Sequence, residues 1–152
     1  MTTAKAYGGK KTQSDYDADA WSTPQWLFDE LDKEFNFTLD PCADDDNHKC
    51  LIYYTAKVDG LTKSWAGHVV FMNPPYSQVD KWLEKAWKES DDCTVVALVK
   101  ADTSTDWWHK HWKRASEVRF LKRIQFQPPP GYTGRLSSPN MGSALLIYGW
   151  WL

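Results

Sequence analysis

The stretch "HVVFMNPPYSQVDKWLEKAWKESDDCTVVALVKA", residues 68–101, constrains the fold more than any other part of the chain. It opens on four apolar residues, Val69 to Met72, and breaks at Asn73-Pro74-Pro75-Tyr76. Val79, Trp82, Leu83, Ala86 and Trp87 then recur at the period of an amphipathic helix. "CTVVALVKA" follows as a continuous apolar strand of the type buried on both faces. Strand, helix and buried strand in succession is the α/β pattern.

The same alternation runs along the chain. In "STPQWLFDELDKEF" the spacing of Trp26, Leu27, Leu31 and Phe35 predicts a helix, with Ser22 or Thr23 as N-cap and Pro24 in the first turn. "FNFTLDP" reads as a strand that delivers Asp40 to its C-terminal tip, and "ADDDNHKC" as a polar loop. "LIYYT" is a short strand and "VDGL" a turn. "TDWWHKHWKRA" reads as a helix, "EVRFLKRIQF" as a strand, "QPPPGYTGRLSSPNMG" as a loop and "SALLIYGWW" as a last strand. Residues 1–20 are polar and small, so they are expected to be mobile or loosely docked, with one domain over 21–152. A chain of 152 residues suits one domain.

Composition excludes several classes. Apolar residues make up 42% and charged residues 25%, the usual globular mixture, which excludes a disordered or collagen-like chain. The longest apolar runs are too short to span a bilayer, and "MTTAKAYGGKK" has no signal-peptide core, so a cytoplasmic protein with no membrane partner is expected. Cys42, Cys50 and Cys93 form no disulfide framework. A net charge of −2 argues against non-specific coating of nucleic acid. Lys110, Lys113, Arg114, Arg119, Lys122 and Arg123 are nonetheless a local basic excess, either a solvated face or a row of phosphate contacts.

In an α/β sheet, ligands bind outside the carboxyl ends of the strands. Asp40, Asn73 and the Lys100–Asp102 stretch all fall just past predicted strand ends. Within Asn73-Pro74-Pro75-Tyr76, the prolines stiffen the backbone and lack an N–H, which leaves the Asn73 amide and the Pro74 carbonyl free to accept hydrogen bonds. Two acceptors suit an exocyclic amino group, whose two N–H donors they would engage while its lone pair becomes more nucleophilic. Tyr76 is placed to stack on the ring bearing that amino group. The chemistry this allows is direct group transfer to nitrogen, with positioning and electrostatics supplying the rate.

"NPPY" after an apolar strand resembles the catalytic motif of amino-methyltransferases that use S-adenosylmethionine. The ordered set "WSTPQWLFDEL", "FTLDPCAD", "DGLTKSW", "VVFMNPPYS" and "TVVALVKADTSTDWW" resembles the phage-type DNA N6-adenine methyltransferases, the phage Dam family, over most of residues 21–150. The resemblance implies a single-domain, Rossmann-like methyltransferase sheet flanked by helices. It implies that Asn73, Pro74 and Tyr76 hold a target adenine, with Pro75 as scaffold. For S-adenosylmethionine it implies Thr23 and Pro24 near the methionine end, Asp40 with Pro41 and Cys42 after the first strand, and Asp59 near the cofactor's adenine. The partner implied is double-stranded DNA with the adenine flipped out of the stack, in the host cytoplasm if the protein is phage-encoded. Lys110, Lys113, Arg114, Arg123 and Arg135 are the candidate DNA contacts. Phe126 is either a wall of the base pocket or a core residue. No metal is required. After "LDP" this chain has "CADDDNHKC" in place of a glycine-rich loop, so the amino-acid end of the cofactor must be met differently, through Cys42, Ala43 and the backbone that follows.

Other readings stay open on the residues alone. "NPPY" can be a rigid turn, and Cys42 can be a nucleophile, although Asp44, Asp45 and Asp46 disfavour a thiolate there. Cys42, His48 and Cys50 invite a zinc site without the usual paired spacing. Trp107, Trp108 and Trp112 are either a stacking surface or core. The same acceptor geometry also serves RNA or a protein glutamine, and loss of the glycine loop allows a non-catalytic DNA-binding decoy.

Overall fold

Among the described residues, six strands and three α-helices follow one another: α1 (Gln25–Phe35), β1 (Leu39–Asp40), β2 (Ile52–Tyr53), β3 (Val69–Met72), α2 (Val79–Glu89), β4 (Thr94–Lys100), α3 (Asp106–His111), β5 (Glu117–Leu121) and β6 (Ser143–Tyr148). The computed structural model describes residues 18–136 and 140–149. The strands form one sheet in the order β2-β1-β3-β4-β6-β5. The first four lie parallel. β6 runs antiparallel between β4 and β5. The result is the Rossmann-like α/β sheet flanked by helices that the sequence predicts.

Period-two alternation builds both faces of this sheet. Val70, Met72, Val95, Ala97, Val99, Ala144, Leu146 and Tyr148 point to one side, where Val79, Trp82, Leu83 and Ala86 of α2 and Trp108 of α3 cover them. Phe71, Val96, Leu98, Leu145 and Ile147 point to the other, under Leu27, Phe28, Leu31 and Phe35 of α1. Because both faces are covered, the central strands read as unbroken apolar runs.

The two halves of the sheet meet at a reversal of direction. From β1 the chain moves outward to β2, then returns across β1 to form β3 on its other side. The C-terminal ends of β1, β3 and β4 therefore lie side by side, and the reversal between β1 and β3 is where such sheets open a crevice. Gly60 lets this region close tightly. It is buried, and a Cβ there would stand 2.3 Å from the Pro41 carbonyl oxygen, so only glycine admits the approach.

Several elements differ from the sequence expectation. Pro24, not Ser22 or Thr23, is the N-cap of α1, and it makes no side-chain cap bond. Phe35 closes α1, and Asn36 turns left-handed at φ 55° with its N–H on Asp32 O. Only Leu39 and Asp40 of "FNFTLDP" find strand partners. β5 stops at Leu121 because its partner β6 begins opposite, at Ser143, and 122–126 run on outside the ladder. At the N-terminus, expected mobile through residue 20, Asp19 and Ala20 are buried. Residues 1–17 lie outside the described residues. Among the described residues, no helix is long and apolar enough to cross a membrane.

His111 joins α3 to α2. Its fully buried ring places Nε2 2.6 Å from Asp80 Oδ1, while Nδ1 has no partner among the described residues. A neutral ring with its proton on Nε2 fits both facts, since a bare lone pair is easier to bury than an orphan N–H. Burial lowers the His111 pKa against the opposing pull of Asp80, and the bond to His111 lowers that of Asp80. Both groups bind protons less well folded than unfolded. The histidine contribution is therefore intact above its ordinary pKa of 6.5 and is lost as pH falls below it. We expect urea unfolding to show that wild type loses more stability than His111→Gln between pH 7 and pH 5. Equal losses would mean that the ring is not buried as a neutral donor to Asp80.

Candidate active site

The crevice at the reversal is a cleft of about 340 Å³. Its floor includes Phe71 and Leu98, apolar residues of β3 and β4. Four segments wall it: the Asn73–Tyr76 turn after β3, the 40–49 loop after β1, the 19–23 strap before α1, and Gln125–Phe126 after β5. The strap and the last segment are tied by a backbone bridge, with Ser22 N–H on Gln127 O and Gln127 N–H on Ser22 O, each at 2.9 Å.

The turn after β3 leaves two acceptors without a described partner, on residues that line the cleft. Pro74 and Pro75 are buried, and the Pro75 carbonyl accepts from Gln78 N–H at 3.0 Å, which closes a 3₁₀ turn into α2. Among the described residues, neither the Asn73 side-chain amide nor the Pro74 carbonyl has a hydrogen-bond partner, and both residues line the cleft. Tyr76 stands beside them. Lys100 Nζ lies over its ring, 4.1 Å from the centroid, and Trp107 meets it edge-on at 6.2 Å. Its hydroxyl lies 3.5 Å from Asp102 Oδ2, and burial raises its pKa. Trp107 is thus a support for the site residue, while Trp108 is core.

Asp19 fixes this turn from the strap. Its carboxylate accepts from Ser77 N–H at 3.0 Å and, at shorter range, from the Ser77 hydroxyl. Asp19→Ala should lower stability in urea unfolding by about 1–3 kcal/mol, the usual cost of removing a hydrogen bond to a charged group. A loss under roughly 0.5 kcal/mol would show that the strap does not hold the turn.

On the β1 side, Asp40 is 5% exposed and accepts from Lys49 N–H at 3.0 Å. Burial raises its pKa to about 6, against the pull of the Lys49 and Cys42 amides. Cys42 also lines the cleft, but burial and the Asp40 charge push its thiol well above the ordinary range, although the Asn73 N–H faces it. Such a thiol is a poor nucleophile. Thr23 is 2% exposed, lines the cleft, and has a buried hydroxyl with no partner among the described residues.

Other expected residues lie elsewhere. Asp59 turns its carboxylate to Leu61 N–H at 3.2 Å and borders a separate small hollow, because it caps the turn at Gly60–Thr62. Pro41 shares that hollow, and Pro24 starts α1, so neither lines the cleft. Lys110 pairs with Asp80 and Glu84 of α2, and Arg114 pairs with Glu84 while stacking on Trp87 at 3.9 Å. Their charges are matched on the α2–α3 surface, away from the cleft wall, as is the position of Lys113 on the next turn. Arg123 is exposed on the segment that carries Phe126 into the cleft wall, and Arg135 is exposed in the following loop, where its carbonyl accepts from the Tyr132 hydroxyl. His48 bonds its own neighbour, Cys50 O, and stacks on Tyr53. Among the described residues, no group of three acids, cysteines or histidines could hold a metal.

Asp19, Trp21, Asn47, Lys49 and Gln125 also line the cleft, and sequence reasoning missed them. Nothing in the polar strap or the acidic loop marks them. Lys100 was the legible one, since it ends a buried strand.

Comparison with known proteins gives this geometry its context. The family model for DNA N-6-adenine-methyltransferase (Dam) matches residues 10–151. The DNA N-6-adenine-methyltransferase of Haemophilus phage HP1 is 32% identical over 135 residues, covering 86% of this chain and 78% of that protein. The DNA N-6-adenine-methyltransferase of Escherichia phage T1 is 29% identical over 121 residues, covering 78% of this chain and 50% of that one. The matched span includes every strand of the sheet and every segment that walls the cleft, and the chain belongs to the DNA N-6-adenine-methyltransferase (Dam) family.

Proposed function

We propose that this protein transfers a methyl group from S-adenosylmethionine to N6 of an adenine in DNA. The observation that carries the reading is the pair of unengaged acceptors, the Asn73 amide and the Pro74 carbonyl, held together in the cleft beside Tyr76. The two would accept the two amino hydrogens, which favours a localised lone pair on N6 and places it for attack. As the methyl carbon bonded to N6 and its bond to the donor sulfur broke, leaving S-adenosylhomocysteine, N6 would gain positive charge that the same two oxygens would stabilise until one amino proton passed to solvent. Tyr76 supplies a stacking face; Lys100 covers one side of its ring, so the base takes the other face or displaces the ammonium. The amino group of a paired adenine is inaccessible, so the base enters the cleft flipped from the duplex. Exposed Arg123 and Arg135, flanking a cleft segment, are the better candidates for phosphate contacts than the ion-paired Lys110 and Arg114.

The cleft also fits the methyl donor. An orphaned, buried Thr23 hydroxyl and a buried Asp40 carboxylate are polar groups that a hydrogen-bonding ligand would satisfy. When bound, S-adenosylmethionine supplies an electrophilic methyl on a sulfonium. The decoy reading rested on the missing glycine loop, and the 40–49 loop contributes cleft-lining polar side chains in its place.

The test is transfer of a labelled methyl group to unmethylated duplex DNA, followed by digestion and mass identification of the modified nucleoside. N6-methyladenine is the expected product. Label on RNA or protein with none on DNA would reassign the substrate.

A further inference from the structure

One face of the Tyr76 ring is already covered. Lys100 closes β4 and lines the cleft together with Tyr76. Among the described residues its ammonium has neither a hydrogen bond nor an ion pair, and what it meets is the ring of Tyr76, 4.1 Å from the centroid. Asp102, two residues on, is near enough to feel that charge, but its carboxylate engages Ser104 and the Tyr76 hydroxyl. A cation held by a ring face alone is held weakly, by a factor of roughly 2 to 30. The flexible four-carbon stem of a lysine lets such a head group leave without moving the strand that carries it.

Stacked aromatic rings keep their centroids about 4.5–7 Å apart. The space over this face is therefore the space a stacked base would fill, and ammonium and base exclude each other. The rest of the ring is bounded by Trp107, nearly perpendicular to it at 87°, and by Asp102 at the hydroxyl. An ammonium left over the ring would also oppose the positive charge that N6 gains during transfer. We infer that Lys100 is a displaceable cover: its ammonium occupies the stacking face of Tyr76 in the empty cleft, and the target base takes its place. This rests on the proposed use of Tyr76 as the stacking face. The cover sets a threshold for entry. A base that only stacks gains little by replacing the ammonium, whereas one that also gives its amino hydrogens to Asn73 and Pro74 replaces it.

The test is titration of adenosine into protein saturated with S-adenosylhomocysteine, read by NMR at the isotope-labelled ring of Tyr76, whose signals are identified by their loss in Tyr76→Phe. Lys100→Ala should bind adenosine roughly 2- to 30-fold more tightly than wild type, the range for one cation–π contact. Lys100→Arg keeps a cation and adds a planar group that stacks, so it should bind no more tightly than wild type. In wild type, the ε-methylene protons of Lys100 should be shifted upfield by the ring and return to the ordinary lysine position as adenosine binds. A thermal melt confirms that each variant is folded. Lys100→Ala that binds adenosine equally or more weakly overturns the cover, a loss being the mark of a lysine that contacts the base, and the methyl-transfer reading stands. Adenosine that leaves the Tyr76 ring unmoved in both proteins overturns the cover together with the stacking role of Tyr76.

Discussion

Asn73→Ala should reduce methyl transfer to DNA by at least roughly 10²- to 10³-fold, the usual effect of deleting one preorganised group that faces developing charge. Folding should survive. Asn73 is half-buried, and its amide bonds no described residue, so truncation strands no partner and opens no core cavity. The backbone that positions it is held independently, by β3 on one side and by the Pro75–Gln78 turn on the other. The measurement is single-turnover transfer together with a thermal melt and cofactor affinity. Transfer within a few-fold of wild type, with the cofactor bound normally, would sink the assignment of this turn as the catalytic group.

The second large effect is on stability and runs opposite to function. Asp40 is buried, and its pKa rises from the ordinary 3.8 to about 6, so the folded state binds that proton more tightly than the unfolded chain does. Stability from this site is fully present below pH 3.8 and is lost as pH rises through 6. At 1.36 kcal/mol per pH unit, the ionised carboxylate costs the free protein about 3 kcal/mol at pH 7.5. Asp40→Asn retains an oxygen for the Lys49 amide and removes the charge. The variant should therefore be more stable than wild type at pH 7.5, by up to about 3 kcal/mol, with the advantage vanishing near pH 4. It should also bind S-adenosylhomocysteine at least roughly 10-fold more weakly, having lost a charged contact. Urea unfolding from pH 3 to pH 8 reads the first effect. A variant less stable at pH 7.5, or a difference independent of pH, would contradict it. His111 loses stability in the acid direction while Asp40 gains it, so the difference between wild type and variant is the informative curve.

Asp40 and Lys49 together show a cleft whose unliganded charges cost the fold something. Buried Asp40 destabilises the free protein at neutral pH, and Lys49 has no ion-pair partner among the described residues, yet each borders the same space. Binding sites are where such local inconsistency is expected.

How much of this was legible without coordinates differs from residue to residue. The place of Asn73, Pro74 and Tyr76 at the cleft was, because they follow directly on a buried strand and clefts open beyond the carboxyl ends of such strands. Asp40 was, because it ends a strand. Lys110 and Arg114 misled, because a run of basic residues shows its own charge and not the Asp80 and Glu84 that neutralise it from another helix. Asp59 misled in the same way, since its carboxylate serves the local turn.

The sequence alone determined the layers, since hydrophobic period distinguishes strand from helix and a continuous apolar run requires cover on both faces. It also determined the Asn73–Tyr76 turn, whose free acceptors and ring come from consecutive residues. Tertiary structure decided which side chains share the cleft: the 19–23 strap, Lys49, Lys100 and Phe126 are far apart in the chain. They meet because the return from β2 across β1 places three strand ends together and the 19–23 strap closes over them. Such convergence depends on strand order and packing, and neither is written in the local pattern of any one segment.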